Sequence, residues 1–156
     1  GLALLAWAGK RGSKPVALTP YQRVLSDLEG ARRVLETGQI QQAAFDLSWG
    51  VRAYLEATLG LPALEWTTTE LMRGLEKSPL VGVSQRQTLQ EVMEGCDRIK
   101  FGAEVPPLER QKALWEAAQG WVEALQKGLE AQAAREKIKP PPEAPPSPPP
   151  STVAAS

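Results

Sequence analysis

The sequence predicts an all-α protein, a five-helix bundle that opens with an antiparallel helix hairpin and closes with a Pro-rich disordered tail. Three observations point there: apolar stripes at helical spacing, two capping signatures of the Ser/Thr-x-x-Glu/Gln kind, and Gly or Pro at each place where a stripe stops. With 156 residues the chain is long enough for one packed domain.

The first helix starts at Thr19-Pro20 and carries Val24, Leu28, Ala31 and Leu35 on one face until Gly38. A second stripe of Ile40, Ala44, Leu47, Val51, Tyr54 or Leu55, and Leu59 runs to Gly60-Leu61-Pro62. So short a link at Gly38 makes the pair an antiparallel hairpin, which with Gly38, Ala43 or Ala44, and Tyr54 resembles a tetratricopeptide unit, though no 34-residue period recurs downstream. Ala43, Ala44 and Gly50 permit close approach, and Gly50, which costs roughly 1 kcal/mol of helix propensity relative to Ala, implies a crossing helix or a bulky neighbour beside it. Thr67-Thr-Thr-Glu70 caps a short third helix with Leu71, Met72 and Leu75 inward, ending before Ser78-Pro79. Ser84-Gln-Arg-Gln87 repeats the capping pattern for a fourth helix, whose buried side is Leu89, Val92 or Met93, Cys96 and Ile99 and whose end lies near Phe101-Gly102. Pro106-Pro107 opens the fifth and longest helix, with Leu108, Leu114 or Trp115, Ala118, Trp121 or Val122, Leu125 and Leu129 along one face, and its last turns, from Ala131, project into solvent.

Composition excludes much chemistry. The chain has no His and one Cys, so His-dependent triads, imidazole zinc sites and an intramolecular disulfide are absent. Eighteen Lys+Arg balance 18 Asp+Glu, which disfavours a nucleic-acid partner. Cys96 lies on an apolar stripe with no base to activate it and reads as a buried hydrophobe. Trp115 and Trp121 read as core. Glu91, Glu94 and Asp97 form a helical row that would hold a metal only with facing ligands, and Arg32, Arg33 and Arg52 are available to anions but fit a solvated helix face equally well. No catalytic, cofactor-binding or metal-ligating residue is assigned, and neither an enzyme nor a small-molecule substrate is expected.

The ends differ from the middle. Residues 1–9 are apolar up to Gly9 and are followed by Lys10, Arg11 and Lys14, a pattern that reads as the end of a transmembrane helix, with a basic juxtamembrane linker over 10–19. By the positive-inside bias this predicts a single-pass inner-membrane protein with residues 10–156 on the cytoplasmic side and a helical domain over 20–138. One alternative, at Ala6-Trp7-Ala8, is a signal-cleavage remnant, which would export the domain; the other is a frayed apolar N-terminus of a soluble protein. Residues 139–156 hold eight of the chain's 14 prolines and cannot pack a core; they read as an extended or disordered tail whose Pro-x-x-Pro register, Pro142 to Pro145, suits an aromatic groove.

Four segments carry a resemblance. Arg52-Ala-Tyr54-Leu55 running into Gly60-Leu61-Pro62, Trp66-Thr67-Thr68-Thr69-Glu70-Leu71, Cys96-Asp97-Arg98-Ile99-Lys100-Phe101-Gly102, and Trp115 to Val122 follow one another with compatible spacing. This order resembles the cytoplasmic helical region of BatD-like bacterial membrane proteins and their short single-span relatives, over residues 21–125. Gly102 departs from the alanine of that pattern. The resemblance implies partners among MoxR-type AAA+ ATPases and von Willebrand factor A-domain (VWA) proteins, and no catalytic residue. It makes Thr67, Glu70, Cys96, Asp97, Lys100 and Phe101 structural: Thr67 and Glu70 as a cap, Cys96, Ile99 and Phe101 inward, and Asp97 with Lys100 paired at i, i+3 on the rim. Two functions follow as expectations: a membrane-tethered, non-enzymatic adaptor of the bacterial envelope, or a soluble or exported tetratricopeptide-like peptide-binding module.

Overall fold

A computed structural model of the chain describes residues 17–102 and 105–138. These form five α-helices: α1 Pro20–Glu36, α2 Ile40–Leu59, α3 Thr68–Leu75, α4 Val83–Lys100 and α5 Leu108–Ile138, with a 3-10 turn Ala63–Glu65 between α2 and α3. The fold is all-α among the described residues.

Each boundary has a local cause. Thr19 Oγ1 accepts from the Gln22 N–H at 3.1 Å while Gln22 Oε1 accepts from the Thr19 N–H at 3.0 Å, which satisfies two of the donors that α1 leaves open. At the far end of α2, Gly60 takes φ 71°, a left-handed position that costs glycine no Cβ clash, and its N–H bonds Glu56 O at 3.1 Å. Thr67 caps α3: its Oγ1 accepts from the Glu70 N–H at 3.2 Å, and Glu70 Oε1 accepts from the Thr67 N–H at 3.3 Å. For α4 the Ser84–Gln87 box does not form. Val81 is buried and Gly82 is the N-cap, so the helix starts two residues early and Gln85 is the residue whose carboxamide reaches back, to the Gly82 N–H at 3.1 Å.

The predicted stripes of α1, α2 and α4 meet in one core. Val24, Leu28, Ala31 and Leu35 face Ala44, Leu47, Val51 and Leu55, and a Cβ built on Gly50 would lie 2.9 Å from Asp27 Cβ, so α1 is the crossing helix that this glycine admits. Leu89, Val92, Met93, Cys96 and Ile99 complete the interior from α4, with Leu71 and Leu75 of α3 above them. On α5 the buried residues are Gln111, Ala118, Trp121, Val122 and Leu125, whereas Leu108, expected inward, stands exposed on the other side of the first turn. The tryptophans also tie α5 to two other helices: Trp115 Nε1 donates to Leu28 O at 2.6 Å and Trp121 Nε1 to Gln85 O at 2.7 Å. Residues 131–138 are exposed apart from the half-buried Gln132.

One expectation is overturned. Among the described residues no helix is long and apolar enough to cross a membrane, which corrects the single-pass inner-membrane placement. α2, α4 and α5 have the required length, and charges interrupt all three: Asp46, Arg52 and Glu56 on α2, Arg86, Glu91, Glu94, Asp97, Arg98 and Lys100 on α4, and acids and bases at intervals along all of α5. The apolar segment 1–9, most of the basic linker, and the Pro-rich segment 139–156 lie outside the described residues.

Candidate functional site

Three of the motif segments, far apart in sequence, converge where the middle of α2, the start of α3 and the end of α4 meet. Arg52 is buried on α2, and its guanidinium donates from Nε to Ser48 Oγ at 3.2 Å, from Nη1 to Ala63 O at 3.0 Å and Trp66 O at 2.6 Å, and from Nη2 to Thr68 Oγ1 at 3.1 Å. Neither a solvated helix face nor an anion-binding cation describes this residue. It fastens the 3-10 turn and the approach to α3 onto α2, and burial pulls its pKa below the ordinary value against the attraction of Asp97.

From Arg52 a closed polar ring follows. Thr68 Oγ1 donates to Asp97 Oδ2 at 2.6 Å, Asp97 Oδ1 lies 3.4 Å from Lys100 Nζ, and Lys100 Nζ donates to Ser48 Oγ at 3.1 Å, returning to the hydroxyl that Arg52 also contacts. Five side chains from three helices thus share two cations and one carboxylate. Lys100 Nζ also stands 5.4 Å from the centre of the Phe45 ring, a cation–π contact. Ser48 Oγ directs its proton at Met93 Sδ, 3.9 Å away, and with two cations as donors and no base beside it the hydroxyl is not activated as a nucleophile.

Over the ring lies an open groove of about 310 Å³, walled by Phe45, Trp49, Trp66 and Phe101. Phe45 is shared with a second groove of about 550 Å³ that continues along Gln39, Gln41, Gln42 and Val105. The walls are unusual for their exposure: Phe45 is 48% exposed, Trp49 61%, Val105 74% and Phe101 77%. Phe101 is therefore not inward, as the motif reading has it. On a helix two residues turn the chain by about 200°, so with Ile99 facing the core Phe101 faces away from it.

The remaining motif residues divide. Thr67 and Glu70 form the α3 cap at the groove's edge. Cys96 is fully buried, and burial pushes its thiol up to about 12, against the pull of Lys100. Glu91 and Glu94 remain on the exposed side of α4 while Asp97 turns into the ring, and no group of His, Cys, Asp or Glu fit for a metal occurs among the described residues. Ser48, Phe45 and Trp49 lie outside the motif segments, and Thr68 lies inside one that gives it no role of its own. A signal for the aromatic pair exists: Phe45 and Trp49 stand four apart on α2, off the apolar stripe, where solvent-facing aromatics need a reason.

No protein-family model matches the chain, and neither a curated protein nor a solved structure does.

Proposed function

We propose that this chain is a non-enzymatic protein-interaction module whose docking face is the aromatic groove between α2 and α4. The observation that carries this reading is the gathering of Phe45, Trp49 and Phe101, all exposed, around one part-buried polar ring, with exposed Val105 in the adjoining groove. Exposed aromatics cost solvation free energy when scattered and gain it when a partner covers them, and interface centres are enriched in such side chains. The ring fixes the backbone beneath them, so the face is held in one shape before a partner arrives.

The partner class rests on the motif resemblance: a MoxR-type AAA+ ATPase, a VWA-domain protein, or both. Three of the four segments that carry the resemblance supply the floor and rim of this face through Arg52, Thr67, Thr68, Asp97, Lys100 and Phe101. The test is titration of the full chain with the purified ATPase and VWA protein of the same genome. Trp49→Ser and Phe101→Ser, both on the surface, are each expected to weaken binding by about 2 kcal/mol. Undiminished affinity in both variants would place the interface elsewhere. A peptide-binding role of the tetratricopeptide-like kind is the second reading, favoured by the carboxamides of Gln39, Gln41 and Gln42 beside the same groove, which suit a peptide backbone.

A further inference from the structure

The start of α5 carries a polar group that the fold leaves unanswered. Gln111 is only 5% exposed, and its Nε2 donates to Pro106 O at 2.7 Å, which holds the segment ahead of the helix. Its Oε1 accepts from nothing, and among the described residues it is the one buried side-chain nitrogen or oxygen without a partner. A buried acceptor of this kind destabilises the fold until a donor meets it.

Two cavities meet at this residue. The outer one, about 170 Å³, lies between the end of α4 and the start of α5, with Gly95, Ile99, Pro106 and Leu114 as apolar walls and Arg98 and Arg110 beside them. The inner one, about 20 Å³, lies among Ala31, Ala43, Ala44 and Trp115, and Ile99, Gln111 and Leu114 line both. The side chains of the inner space offer a water one polar partner, Gln111, because the Trp115 N–H already donates to Leu28 O; an internal water makes about three bonds. A mainly apolar guest suits the pair of cavities better. The unpaired carbonyl oxygen repels an anion and requires an N–H or O–H, while the two guanidiniums, each already engaged, disfavour an ammonium. Size points to a single ring, since a cavity of about 150 Å³ holds benzene. Gly95 contributes to the room: a Cβ there would stand 2.8 Å from Leu114 Cδ1, so the glycine lets Leu114 lie against α4.

We propose that the recess between α4 and α5 binds a small, uncharged, mainly apolar molecule of single-ring size bearing one hydroxyl or N–H, whose donor goes to Gln111 Oε1 as half-buried Leu114 turns aside. Oε1 is closed to water in the resting fold, so the bond forms without solvent competing for the acceptor. The site stands or falls independently of the aromatic groove as a docking surface. The experiment is an NMR titration of the full chain with phenol and with toluene, which match in shape and differ in the donor. Both should shift the Ile99 and Leu114 methyl signals saturably at millimolar concentration, and phenol alone should move the Gln111 side-chain carboxamide. In Gln111→Leu the ratio of phenol affinity to toluene affinity should fall by about tenfold, the size of one hydrogen bond in a closed site. The absence of a saturable shift at Ile99 and Leu114 up to about 10 mM phenol overturns the inference. Saturable shifts centred on Trp49 and Phe101 instead, or an unchanged affinity ratio in Gln111→Leu, overturn it equally. Where Gln111→Leu does not fold, the wild-type carboxamide signal decides: equal movement with toluene and phenol rejects the donor, and movement with phenol alone upholds it.

Discussion

Burial sets the chemistry of two single residues. Cys96 lies inside α4 with its thiol pushed up to about 12, so at pH 8 it is both protonated and covered. Iodoacetamide should leave the folded protein unmodified, with alkylation appearing only at the rate of unfolding when followed by intact mass; rapid modification of the native chain would place the sulfur outside the core. Asp27 packs beside Gly50, and burial raises its pKa above 3.8, with Arg23 pulling down and Asp46 pushing up. A carboxyl whose folded pKa is raised favours the fold in its protonated form. That contribution is complete below 3.8 and is lost as pH rises through the folded value. Asp27→Asn should therefore melt above the wild type at pH 7, the gap closing as pH falls below 3.8. A wild type that melts higher at pH 7 would mean that the attraction of Arg23 outweighs burial.

At the level of the helices, two glycines separate propensity from packing. Gly50 of α2 has Asp27 of α1 at 2.9 Å from where a Cβ would sit, whereas nothing lies within 4 Å of the same position at Gly30 of α1. Helix propensity favours Ala at both sites by about 1 kcal/mol. Gly30→Ala should realise that gain, while Gly50→Ala must part α1 from α2 and should lose about 1 to 3 kcal/mol net in denaturant unfolding. Equal gains at both would show that the hairpin is more loosely packed than its backbone distances indicate. The start of α4 shows the same division between local and non-local causes. Ser84-x-x-Gln87 and Gly82-x-x-Gln85 are overlapping frames for a cap, and the burial of Val81 selects the second.

For the molecule as a whole, Leu47 joins the hairpin to the rest of the core, and Leu47→Ala should cost about 2 to 5 kcal/mol in unfolding free energy with the helical content retained. An unchanged transition would mean that the stripe of α2 faces solvent. The periodicity of Val24, Leu28, Ala31 and Leu35, and of Leu89, Val92, Cys96 and Ile99, was enough to identify the inward faces of α1 and α4, because a helix has one face for each 3.6-residue repeat. Caps at Thr19 and Thr67 were likewise legible, since their partners lie three residues away. The candidate site was only partly so. Motif spacing drew attention to Arg52, Asp97 and Lys100, but nothing in spacing says that Thr68 bridges Arg52 to Asp97 or that Ser48 closes the ring, because those bonds span 16, 29 and 52 positions of chain. Phe101 shows the limit at one residue: two steps from inward Ile99, it became part of an exposed aromatic face that exists only because α4 ends beside Phe45 and Trp49. Helix identity, capping and the apolar faces were thus determined by interactions within a few residues, which a sequence displays. The polar ring and its groove were decided by how three helices cross, since only tertiary packing brings distant side chains within bonding distance.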